Sequence, residues 1–141
     1  MGTQQILLIV LSVIIVGIAV AVGITMFNSQ ASSSNRQAVI GDMNNLAASA
    51  LSFYKTPTTH GGGGNTWSTG VDVVGQWLGY DYDSGTSACS TGNGIFTLSI
   101  ASDILTITGV GTETGNNGST NVSGTLAITG ATSGLVATIV N

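Results

Sequence analysis

The side chains able to do chemistry are few and scattered along this chain. His60 is the single histidine; it sits beside Gly61–Gly64 with no cysteine or nucleophile close in sequence, so it reads as a solvated loop residue. Asp81 and Asp83, followed by Ser84 and Gly85, offer oxygens of the kind that hold calcium. The spacing lacks a full loop motif and no glutamate follows, which leaves turn carboxylates as the expectation. Cys89 is the only cysteine, so an internal disulfide and a thiolate zinc cluster are both ruled out, and a small buried apolar residue is expected there. The glycine run has no following lysine and no strand-then-helix setting; it reads as a flexible linker rather than a phosphate cradle. No catalytic set, cofactor site or metal site emerges, and an enzyme is not expected.

Charge narrows the partners further. Charged residues make up 6% of the chain and the net charge is −4, with Arg36 and Lys55 the only basic side chains. Two cations make no phosphate-binding patch, which argues against nucleic acid. Gly, Ser, Thr and Asn take the place of the missing charge and give a neutral, hydroxyl-rich surface. Asn117-Gly118-Ser119 and Asn121-Val122-Ser123 match the glycosylation acceptor triplet, although such matches arise easily in a segment of this composition. Phe27, Phe53 and Tyr54 are the only aromatics on the long N-terminal helix that the pattern predicts, so no aromatic chain supports electron conduction.

The elements that carry these residues begin with an uncharged run from Ile6 to Phe27. As a helix it reaches roughly 33 Å, enough to cross a bilayer. Three shelters suit such a segment: lipid around a single-span anchor, a cleaved targeting peptide, or the helices of other copies. A signal peptide wants a basic start, and nothing before Arg36 is basic. As an anchor, both basic residues follow the span, which by the positive-inside rule weakly places the rest of the chain in the cytoplasm. The helical pattern also continues past Phe27. Val39, Met43, Leu46, Ala50 and Phe53 recur at helical spacing, with Ile40, Ala47, Leu51 and Tyr54 widening the stripe. Asn35, Arg36, Asp42, Asn45, Ser49 and Ser52 occupy the opposite, polar face. Pro57 disfavours helical geometry at Thr56, so the helix is predicted to end near Lys55 after roughly 80 Å.

A short polar start, then Ile6-Leu7-Leu8-Ile9-Val10 and a long apolar helix that turns amphipathic ahead of a β-rich remainder, resembles the type IV pilins and their pseudopilin relatives. The pattern covers residues 1–57 and does not extend to the remainder in sequence. The resemblance implies a structural subunit of an extracellular helical filament. Its helix would lie in the membrane before assembly and would then be packed into the filament core by the pilus assembly machinery. The residues packing there would be Gln5, Ile6, Leu7, Leu8, Ile9, Val10, Ile14, Gly17, Ile18, Val22, Gly23 and Phe27. It implies, too, a loosened helical stretch between Gly17 and Gly23 in the packed state. One departure stands out: the family usually carries a glutamate where this chain has Gln5, beside Gln4, and a glutamine accepts a hydrogen bond from an ammonium without cancelling its charge. Whether residue 1 is a mature terminus or Gly2 a processing glycine is left open. So is the choice between a surface pilus, a secretion pseudopilus and a membrane-anchored binding module.

Beyond Pro57 the chain reads as one small head, giving two regions: 1–56, the long helix, and 57–141, the β-rich head. Thr58–Thr69 is read as loop, and Val71–Tyr82 as a first strand or short helix laying aromatics over the long helix. Ile95–Ile100 and Ile104–Val110 alternate apolar and hydroxyl residues around a tight Ala101-Ser102-Asp103 connection. Thr125–Thr129 and Leu135–Val140 repeat the arrangement around Gly130–Gly134. Four or five antiparallel strands follow, one face on the helix and the other exposed, an α+β fold. Val39, Met43, Leu46, Ala50, Phe53 and Tyr54 are the expected helix-to-head contacts.

Overall fold

The computed structural model describes residues 2–130 and 135–140. A single helix, α1, runs unbroken from Gly2 to Lys55. A short 3-10 turn (Thr58–His60) and helix α2 (Val71–Trp77) follow. Six strands come next: β1 (Asp81–Asp83), β2 (Ala88–Ser90), β3 (Gly94–Ala101), β4 (Ile104–Thr114), β5 (Asn121–Thr129) and β6 (Leu135–Val140). They form one antiparallel meander in the order β1-β2-β3-β4-β5-β6, with α1 laid across β4 and β5. The architecture is α+β, as the alternation of the strands and the length of the helix predict. The six strands exceed the four or five expected: β1 and β2 add to the four placed by alternation, and at three residues each they are too short to show a period of two.

Alternation explains the two faces of the sheet. Phe96, Leu98, Leu105, Ile107, Val122, Leu126 and Ile128 point to the helix and are buried. On the outer face Thr97, Thr108, Thr125 and Thr138 stand in register across four neighbouring strands. The Ser102-Asp103 connection has positive φ at both residues (51° and 59°), the conformation of a two-residue hairpin turn whose twist matches that of the flanking strands. Gly109 and Gly124 face each other across β4 and β5, and a Cβ on either would crowd the Met43 sulfur at 3.0 and 3.2 Å. Two missing side chains thus make the notch into which Met43 of α1 sinks. The turn expected over Gly130–Gly134 lies, past Gly130, outside the described residues.

The end of α1 corrects the reading of the glycine run as a linker. Gly63 N–H donates to the Phe53 carbonyl at 2.9 Å, Asn65 N–H to Tyr54 at 2.8 Å, and Gly64 N–H to Thr56 at 2.9 Å. Carbonyls at a helix C-terminus lack partners inside the helix, and here the glycine loop folds back to supply them. The sequence signal was misread because a glycine run serves flexibility and close backbone approach equally well. A methyl group on Gly62 would run into the Thr56 backbone carbonyl, which cannot swing aside. Gly62→Ala is expected to cost about 1–3 kcal/mol, read as a lowered denaturation midpoint. Gly92→Ala, where an added methyl meets nothing within 4 Å, should leave the midpoint unchanged.

Aromatics weld helix to head. Phe53 lies 6.4 Å from Trp67 and 5.5 Å from Trp77, and Tyr54 lies 5.0 Å from Trp67, measured between ring centroids. The Trp67 backbone N–H donates to the Asp103 carboxylate at 2.9 Å, tying this cluster to the β3–β4 hairpin. Cys89, on β2, is fully buried, and burial raises its thiol pKa. It should therefore resist thiol-specific labelling in the folded chain and react rapidly after denaturation; fast labelling of the native chain would contradict the packing described.

Candidate functional site

The head covers only part of α1. Ser32 is the first buried position on the helix, and from there Val39, Met43, Leu46, Ala47, Ala50, Phe53 and Tyr54 form the face packed on the sheet. Every expected helix-to-head residue lies in this buried set. Ahead of it the helix stands free. The large apolar residues from Ile6 to Phe27 are between 50 and 73% exposed. They ring the whole circumference, whereas a helix packed on one partner carries a single apolar stripe. Gln5, Gly17 and Gly23 are exposed along the same length, and no neighbouring atom approaches where either glycine would carry a Cβ.

The physical properties of this rod are those of a membrane-spanning segment. Its most apolar window has a mean hydropathy of 3.2, none of it buried, and the helix is long enough to cross a bilayer. The polar side chains within the run are satisfied by the helix itself. Ser12 donates to the Ile9 carbonyl at 2.8 Å and Thr25 to the Ala21 carbonyl at 2.6 Å. Such local bonds remove the penalty of carrying a hydroxyl into an apolar medium. Covering each large apolar side chain contributes about 1.5–3 kcal/mol, so leaving the run in water costs on the order of tens of kcal/mol.

A polar seam joins α1 to the head. Asn35 donates through Nδ2 to the Asn93 carbonyl at 3.0 Å and accepts from the Glu113 N–H at 3.3 Å. Asp42 accepts from Thr91 Oγ1 and Asn93 Nδ2, both at 2.9 Å. Asn35 and Asp42 belong to the face read from sequence as turned away from the head. They sit at its margins, where long-range partners reach them, and periodicity alone does not show such partners.

The other chemistry-bearing residues are dispersed. Among the described residues, the His60 ring pairs only with the adjacent Thr59 hydroxyl, at 3.2 Å. Asp83 accepts from Gly85 N–H and Thr86 Oγ1 within the β1–β2 turn, and these bonds hold its carboxyl below the usual range. Asn117 is exposed, but its amide closes the β4–β5 turn through Ser119, Thr120 and the Thr120 hydroxyl. Among the described residues, no three His, Cys, Asp or Glu side chains gather to hold a metal ion. A cleft lies where α1 leaves the head, between Thr25–Arg36 and the β4–β5 turn. Sequence reading missed it because its two walls are about eighty residues apart along the chain.

Fold and site together define an α+β head carried on a membrane-competent helix. No protein-family model, curated protein or solved structure matches the chain.

Proposed function

We propose that this chain is the structural subunit of a type IV pilus-like extracellular filament: it waits in the membrane through α1, then polymerises with its helices as the core and its heads as the outer surface. The observation that supports this reading most is the continuity of α1. One unbroken helix is bare and apolar all round at one end and welded to the head at the other. A simple anchor needs only a flexible tether between span and head. A subunit that transmits the position of its core helix to an outer surface needs a rigid rod. The partners of this reading are further copies of the chain, a membrane before assembly and an assembly machinery, with no nucleic acid core and no cofactor. The role is architectural, not catalytic, and adhesion is a property that the neutral outer surface would serve.

The second reading is a single-span membrane protein with a binding head, favoured by the match between the Ile6–Phe27 run and the thickness of a bilayer. A pseudopilin of a secretion machine is a short-filament version of the first. Mechanical shearing of cells followed by electron microscopy distinguishes them. Long filaments with this chain as the main component support the pilus reading. Short fibres seen only on overproduction support the pseudopilin. Monodisperse single copies, extractable only with detergent, support the anchor and overturn polymerisation.

A further inference from the structure

The cleft at the collar of α1 carries a feature that the filament reading does not use. Ser29, Ser32, Ser33 and Arg36 share one helix face, at spacings of three and four, and with Asn116 they line a pocket of about 180 Å³. It adjoins a larger one of about 590 Å³, lined by Thr25, Asn28 and, across from them, Glu113 and Thr114. Arg36 is half-buried, and its Nε is buried with no hydrogen-bond partner. Ser32 is 7% exposed, and among the described residues no hydrogen bond holds its hydroxyl. A guanidinium N–H left without a partner beside a cluster of hydroxyls is the donor set for a phosphate or another small anion.

Position narrows the choice. Phe27 ends the apolar run, and the interfacial zone of a bilayer adds roughly 5–7 Å beyond each face of the hydrocarbon. Ser29 and Ser32 fall about 3 and 7.5 Å beyond Phe27 along the axis. Arg36 starts one turn higher, but helical side chains lean toward the N-terminus, which brings its guanidinium down alongside them. Thr25, inside the apolar run, lines the same cleft, so the opening is continuous with the surface that acyl chains would cover. Glu113 repels an anion from the outer pocket, which confines the charge to the Arg36 side and leaves room for neutral hydroxyls beside Asn28 and Thr114.

We propose that the collar cleft is a binding site for the headgroup of an anionic phospholipid. Its phosphodiester is held by Arg36 with Ser29, Ser32 and Ser33, and its glycerol hydroxyls lie toward Glu113. The proposal rests on the membrane-inserted form of the subunit described above. The bound lipid fixes how deep α1 sits and which way the head faces.

Full-length chain in neutral detergent micelles doped with phosphatidylglycerol, examined by native mass spectrometry, tests this. Wild type should retain one lipid, and Arg36→Gln should lower that retention roughly tenfold, the scale of losing one charge-assisted interaction. Arg36→Lys should recover part of it, and Lys55→Gln, which removes the other cation at the far end of the helix, should not change it. Circular dichroism of each variant confirms that the head is folded. Equal retention by wild type and Arg36→Gln, or an equal loss with Lys55→Gln, would overturn the site. Inorganic phosphate binding lipid-free micellar protein as tightly as the lipid would replace the headgroup with a free anion. Arg36→Gln that keeps its lipid but no longer associates with other copies would reassign the cleft to a carboxylate of a second copy. Failure of wild type to enter micelles at all would overturn the membrane reading itself, whereas intact filaments without lipid selectivity would remove only this proposal.

Discussion

Phe53→Ala is expected to destabilise the head by about 3–5 kcal/mol, the range for truncating a buried aromatic in a well-packed core. The ring is fully buried, stacks on Trp67 and meets Trp77 edge-on, while the residue's own carbonyl receives the Gly63 N–H. Removing it opens a void at the one place where the helix end, the glycine loop and α2 converge. A small domain has only about 5–15 kcal/mol of net stability, so a loss of this size leaves little in reserve. Trp67 and Trp77 are the chain's only tryptophans and both touch Phe53, so denaturant titration followed by tryptophan fluorescence reads the event at its origin. Phe27→Ala is the control: that ring is 73% exposed on the free rod, and its loss should not move the midpoint. A Phe53→Ala midpoint within experimental error of wild type would mean that the aromatic cluster does not hold the rod to the head.

The parts of this fold that could be read from sequence are those set by periodicity. The stripe from Val39 to Tyr54 and the alternation in β3, β4 and β5 each repeat often enough for their period to be visible. Pro57 placed the helix end within a residue. What escaped was set by contacts between distant segments. The glycine loop looks featureless until its N–H groups are seen on the carbonyls of Phe53, Tyr54 and Thr56. Gly109 and Gly124 weaken their strands locally and make sense only under Met43. Asn35 and Asp42 read as solvated because their partners lie across the fold, in the β2–β3 loop and the end of β4. The candidate site divides the same way: the apolar run is a local property of composition, whereas the collar cleft exists only once the β4–β5 turn is folded against the helix.

Val16→Asp, near the centre of the apolar run, should reduce membrane insertion on the order of a hundredfold. An aspartate at the middle of a spanning helix costs about 2.5–3.5 kcal/mol. Val16 is 60% exposed and belongs to no contact with the head, so head stability should be untouched; the variant separates insertion from folding. Alkaline washing of membranes measures it: wild type should stay in the pellet and Val16→Asp should move to the supernatant or be degraded. Ser34→Asp, also exposed but beyond the run, should behave as wild type. In a filament the same carboxylate would face neighbouring apolar helices without a basic side chain, because Arg36 and Lys55 both lie past the run. Assembly should fail even under expression conditions that force the variant into the membrane. Filaments of normal length from Val16→Asp would show that this face of α1 is not buried between copies. Normal insertion without filaments, where wild type under the same conditions forms them, would localise the requirement to helix packing rather than to lipid; a simple anchor forms filaments in neither case.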